Sequence, residues 1–104
     1  MKITNHYIKT NGSDVQVFSS TNGVTVVKSL EIISPSNLEG EITIYRKNSQ
    51  NSVYGSIDIK LEKTNYLTLW EGFFVIPEGH SLWAYSTVSG FEVVVNSVEE
   101  IENS

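Results

Sequence analysis

Cysteine is absent from this 104-residue sequence, which excludes a disulfide framework, a thiolate metal site and a cysteine nucleophile, and leaves the redox compartment unreadable. Histidine occurs only at His6 and His80, far apart and without a carboxylate or second imidazole at ligand spacing, so no metal site is expected. His80 is expected to face solvent from a turn, and His6 to lie in an edge-like first strand. The only aspartates, Asp14 and Asp58, sit in no calcium-loop pattern. There is no Gly-x-Ser-x-Gly elbow and no phosphate-cradling glycine loop, so no cofactor is expected. Glu71 and Glu78 flank an aromatic stretch as a glycosidase pair would, but at strand ends and turns, where solvation is the simpler role. A non-enzyme is expected.

Basic residues are few and unevenly placed. All seven, Lys2, Lys9, Lys28, Arg46, Lys47, Lys60 and Lys63, precede residue 64, and every charge from Tyr66 onward is a glutamate. The net charge is −5. An acidic second half argues against phosphate-backbone binding, so no nucleic acid partner is expected. The imbalance permits head-to-tail attraction between copies, although an acidic, solvated face that keeps the protein soluble is the better explanation. No apolar run is long enough for a signal peptide or a membrane span, so synthesis in a cytosol without a membrane partner is expected.

What the sequence does hold is β-branched and aromatic residues punctuated by Ser, Thr and Asn, a mixture that suits strands and turns better than helices. Length and a 39% hydrophobic content fit a single domain over 1–104 with one core. Runs at 3–9 and 14–19 are separated by Thr10-Asn11-Gly12-Ser13, and Thr21-Asn22-Gly23 precedes the run 24–33, so two successive hairpins are expected. In 24–33 the even residues Val24, Val26, Leu30 and Ile32 are apolar, which predicts one buried face. Ser34-Pro35-Ser36-Asn37 breaks the pattern. In 41–47, Ile42 and Ile44 alternate with outward Thr43 and Tyr45; in 55–62, Ile57, Ile59 and Leu61 point inward. Asn48-Ser49-Gln50-Asn51-Ser52 is the most polar segment and predicts a mobile loop between two halves of similar strand content. Thr64-Asn65 predicts the next turn, and 99–104 an acidic, frayed tail.

The densest apolar stretch, 67–86, contains both tryptophans. Placing Leu67 and Leu69 inside puts Trp70 on the opposite face, and Phe73-Phe74-Val75-Ile76 is apolar on both faces. Beyond the Pro77-Glu78-Gly79 turn, Leu82 and Ala84 take the inside and Trp83 and Tyr85 the outside. In 91–98, Phe91, Val93 and Val95 point inward, leaving Val94 and Val98 outside. About eight strands with tight turns predict an all-β, antiparallel sandwich, either jelly-roll or immunoglobulin-like. Trp70, Trp83, Tyr85, Val94 and Val98 then form an outward apolar surplus, the candidate surface for a partner; a register slip or a bulge would remove it. The aromatic members, with Tyr45 or Tyr54, would also suit stacking on a glycan.

The segment Ile76-Pro77-Glu78-Gly79-His80-Ser81-Leu82, the Ser89-Gly90 turn and the closing strand 93–100 with its Val98-Glu99-Glu100 end resemble small β-sandwich virion structural proteins of tailed bacteriophages. Residues 24–32 match more loosely. The resemblance implies a non-enzymatic building block of a capsid, neck or tail, assembled in the host cytoplasm. Its implied partners are copies of itself, in a ring, trimer or lattice, and other virion proteins. The alternative is a carbohydrate- or receptor-binding module using the aromatic platform.

Overall fold

The computed structural model describes residues 2–35, 38–63 and 66–101, except for the side chains of Phe73 and Ile101, and contains no α-helix among them. Eight strands follow one another: β1 (Lys2–Lys9), β2 (Val15–Ser19), β3 (Gly23–Ile33), β4 (Gly40–Lys47), β5 (Val53–Leu61), β6 (Leu67–Ile76), β7 (Ser81–Tyr85) and β8 (Glu92–Ile101). They form two antiparallel sheets, sheet A in the order β1-β8-β3-β6 and sheet B in the order β2-β7-β4-β5. The first half of the chain runs antiparallel to the second, β1 against β8, β2 against β7, β3 against β6 and β4 against β5. A long double-stranded hairpin rolled so that its pairs alternate between two sheets is the jelly-roll arrangement of two Greek keys. The immunoglobulin-like alternative, with its different strand partition, is set aside.

The tip of the roll is the polar segment 48–52. The Asn48 side-chain oxygen accepts the backbone N–H groups of Gln50 (2.9 Å) and Ser52 (3.0 Å), and Asn51 adopts a left-handed φ of 64°. The segment expected to be a mobile loop is a turn closed by its own hydrogen bonds.

The two Thr-Asn-Gly turns do not make hairpins. Each carries the chain from one sheet to the other, since β1 and β3 lie in sheet A and β2 in sheet B. Turn chemistry reverses a chain without specifying which strand pairs with which. The residues at these crossings anchor the ends of the sandwich. Thr10, 1% exposed, accepts the Phe91 N–H on its hydroxyl (3.0 Å) and donates that hydroxyl to the Val88 carbonyl (2.8 Å). Its backbone bonds the Phe91 carbonyl and the Gly90 N–H. At the opposite end Ser20 bonds His80 and Gly79 through its backbone, and Gly23 and Thr25 through its hydroxyl. The bonds to Val88, Gly90, Phe91, Gly79 and His80 join turns made by opposite halves of the chain.

The core comes from the facing sides of both sheets and includes Leu30, Ile32, Ile42, Ile44, Leu61, Leu82, Ala84, Phe91, Val93 and Val95. In β3 the expected even alternation holds only after residue 28. The register shifts between Val27 and Ser29 against both neighbours, a β-bulge, so that Thr25 and Val27 are buried before it and Leu30 and Ile32 after it. Val24 and Val26 are therefore on the outer face. Ser36, Asn37, Thr64 and Asn65, expected in turns, lie outside the described residues, as do 102–104 of the expected tail. Residues 99–101 are not tail: Glu99 and Glu100 are paired within β8, Glu99 with Lys2 and Thr25 and Glu100 with Val24.

The lateral openings of the sandwich are plugged differently. Between β1 and β2, the His6 ring stacks on Phe18 with centroids 4.4 Å apart. Between β5 and β6, the Arg46 guanidinium lies over the Tyr54 ring at 4.6 Å and the Phe74 ring at 5.2 Å and donates to the Val75 carbonyl at 3.0 Å. Phe74 in turn stacks on Trp70 at 4.9 Å, and the Tyr54 hydroxyl hydrogen-bonds His80 Nδ1 at 2.5 Å.

Burial pushes the His6 pKa below its ordinary value of 6.5, and the nearby Glu99 carboxylate opposes that shift only in part. The folded protein therefore disfavours the imidazolium that the unfolded chain accepts. Stability is complete above about pH 6.5, the unfolded value, and is lost as pH falls through the lower folded value. Urea midpoints measured from pH 7.5 to 5 are expected to fall with pH, and His6→Phe, which keeps the stacking ring, is expected to flatten that dependence. An equally steep profile in the variant would assign the acid sensitivity elsewhere.

Candidate functional site

The five residues expected to form one outward surface are distributed over three places. Trp70 is not outward. It is half-buried, packed against the core and stacked on Phe74, on the same side of β6 as Phe74 and Ile76. Leu67 and Leu69, expected inside, are 54% and 55% exposed. The pairing of Leu30 with Trp70 and Ile32 with Thr68 sets this parity, because Leu30 and Ile32 are already committed to the core. The shared parity of Trp70, Phe74 and Ile76 was visible in the sequence and pointed the same way.

Trp83 and Tyr85 lie on the outer face of sheet B, with their neighbours Leu82 and Ala84 fully buried beneath. Trp83 is not a bare ring. The Lys47 ammonium sits 3.8 Å from its centroid, Tyr45 stacks beside it at 6.4 Å, and its indole N–H donates to Ser81 Oγ at 2.8 Å. Tyr45, on the same face, is only 6% exposed and donates its hydroxyl to Asp14. Burial first, then the hydrogen bond to the Asp14 carboxylate, holds the Tyr45 phenol far above its ordinary range, so it remains a neutral donor.

Val94 and Val98 lie on the outer face of sheet A, where the strand register aligns side chains into rows. One row is wholly apolar: Ile3, Val98, Val26 and Val75 cross all four strands. The next, Asn5, Asn96, Ser29 and Glu71, is polar. Within and beside it Asn96 Nδ2 donates to Ser29 Oγ (3.0 Å) and Glu31 Oε2 (3.1 Å), so the polar island is satisfied internally. The third row, Tyr7, Val94, Glu31 and Leu69, is mixed, and the Tyr7 hydroxyl donates to Glu92 at 2.6 Å. Ile3 is 79% exposed, and Tyr7, Leu67, Leu69 and Val75 are exposed as well. This face is the largest concentration of exposed apolar side chains among the described residues, of a kind that monomeric proteins seldom leave uncovered.

Sequence reading missed Ile3, Tyr7, Val26, Leu67, Leu69 and Val75 as members of this face. Alternation in 3–9 would have found Ile3 and Tyr7. Val26 and Val75 needed the bulge and the cross-strand register, which no local pattern encodes.

No group of three or more His, Cys, Asp or Glu side chains that could hold a metal occurs among the described residues, and no helix long and apolar enough to cross a membrane occurs among them. A shallow depression of about 600 Å³ lies where β4 and β5 pair at their ends, lined by Glu39, Glu41, Lys60, Leu61 and Lys63 among others. Its mixed charges offer no convergent chemistry. No protein-family model, curated protein or solved structure matches this chain.

Proposed function

We propose that this chain is a non-enzymatic structural subunit of a tailed-bacteriophage particle, incorporated in the host cytoplasm and working by protein–protein assembly. The observation that carries the assembly part is the apolar row Ile3–Val98–Val26–Val75 across the whole outer face of sheet A. Burying such side chains is worth about 25 cal/mol per Å², and repetition by symmetry multiplies a modest contact. The virion context rests on the resemblance around residues 76–82 and 93–100 and on a fold-level analogy, since jelly rolls recur in viral capsid domains. Jelly rolls also recur in lectins, but the glycan reading loses ground at Trp83, where a sugar would have to displace the Lys47 ammonium from the ring.

Two measurements test this. Mass spectrometry of purified particles is expected to find the protein in multiple copies; its absence from particles that carry every other structural protein would remove the virion reading. A glycan array is expected to give no signal, and binding lost on Trp83→Ala would instead favour the carbohydrate-binding module.

A further inference from the structure

The rows of sheet A also indicate what covers them. Building on the assembly reading of this face, we infer that it binds a second copy of this chain, sheet A against sheet A, about a two-fold axis that lies in the interface and runs parallel to the strands.

Such an axis exchanges the two sides of the sheet while keeping each row at its own level. Strand β1 then lies over β6 of the second copy, and β8 over its β3. The apolar row meets itself, Ile3 against Val75 and Val98 against Val26. One level along, the Asn5 amide meets the Glu71 carboxylate, and no like charges oppose each other. Further along, Lys9 meets Leu67 and Glu92 meets Ile33 at the end of the sheet, and Glu31 meets Val94; Glu92 keeps its bond from Tyr7 and Glu31 its bond from Asn96. An axis across the strands lays the apolar row on itself only where it passes through that row, near one end of the sheet, and then covers little of the rest of the face. The axis along the strands therefore joins the apolar rows over the larger isologous contact.

The size approaches what a stable contact needs. Four strands about 4.8 Å apart, each at least eight residues long at about 3.3 Å per residue, span a footprint of roughly 500 Å². Protruding side chains such as Ile3, 79% exposed, raise the accessible area toward the roughly 800 Å² per partner of a stable interface. Sheets packed face to face keep their strands within about 30° of one another, as this axis requires.

The absence of cysteine makes the geometry directly testable on the full chain. Sedimentation equilibrium is expected to show a monomer–dimer equilibrium that Ile3→Lys weakens roughly ten-fold or more. Under mild oxidation, a mixture of Ile3→Cys and Val75→Cys chains is expected to form a disulfide-linked dimer, and each variant alone to form little. Both positions are exposed, so the folded state tolerates the changes. Efficient crosslinking of Ile3→Cys alone would overturn the axis, and a chain that stays monomeric up to about 1 mM would overturn the second copy. In that last case, exclusion of Ile3→Lys from particles would leave the assembly reading standing with another occupant, and normal incorporation would end both.

Discussion

Thr10→Val is expected to lower stability by about 3 kcal/mol, although the two side chains are nearly equal in volume. The hydroxyl of Thr10 lies at the end of β1, 1% exposed, and joins two groups of the β7–β8 turn: it accepts from Phe91 N–H and donates to Val88 C=O. A methyl group in its place leaves the Phe91 N–H without a partner in the interior and removes the donor from the part-buried Val88 carbonyl. A buried donor or acceptor left unmade costs about 1–3 kcal/mol, more than the net worth of the bond itself. Phe91, whose backbone is held this way, is fully buried, so the turn cannot relax outward without exposing a core ring. For a domain of this size the loss corresponds to a drop in Tm of roughly 10–20 °C. Thr10→Ser keeps the hydroxyl and removes one methyl, at a cost of about 1 kcal/mol. Urea denaturation of the two variants separates the causes: equal losses would show that packing, not the hydrogen bonds, fastens this end of the sandwich.

The second large effect is expected at Gly55. The register of β4 and β5 shifts between Ile44 and Arg46, and Gly55 forms the bulge with a φ of +63°. A side chain there is strained by about 1–2 kcal/mol from the backbone alone. It also meets an obstacle, since a Cβ on Gly55 would lie 2.1 Å from Arg46 Nη2. The guanidinium would have to leave its place between Tyr54 and Phe74, surrendering two cation–π contacts of about 0.5–1 kcal/mol each. Gly55→Ala should therefore cost about 2–4 kcal/mol in the native chain, yet only about 1–2 kcal/mol in an Arg46→Ala background, where the obstacle is gone and the backbone strain alone remains. Equal costs in the two backgrounds would mean that the Arg46 plug does not depend on the glycine.

These two sites show how unevenly the molecule can be read from its sequence. Alternation placed Ile42, Ile44, Leu82, Ala84, Phe91, Val93 and Val95 in the core, and all are fully buried. Each stands in a strand whose parity is unbroken across those positions, or, for Phe91, directly before one. Reading failed where parity changes within a strand, as at the Lys28 bulge, or where two apolar faces compete, as in β6. There Leu67 and Leu69 looked more core-like than Trp70, yet the register with β3 turned Trp70 inward. The candidate surface was legible only through Val94 and Val98, because its other members become neighbours through pairings between strands as remote as β1 and β8. Thr10 and Ser20 looked like turn residues, and nothing local announced that they bond to turns made some 60 to 80 residues later.

The sequence by itself determined the all-β class, the approximate number of strands, the polar break at 48–52 that divides the chain in half, and most of the buried alternation. Each of these follows from properties carried within a few residues: side-chain branching, turn chemistry and a period of two. The jelly-roll winding, the separation of Trp83 and Tyr85 from Val94 and Val98 onto different sheets, the inward turn of Trp70 and the apolar row across sheet A were decided only by tertiary structure. Each depends on which strand lies beside which, and a bulge of one residue exchanges the faces of everything beyond it.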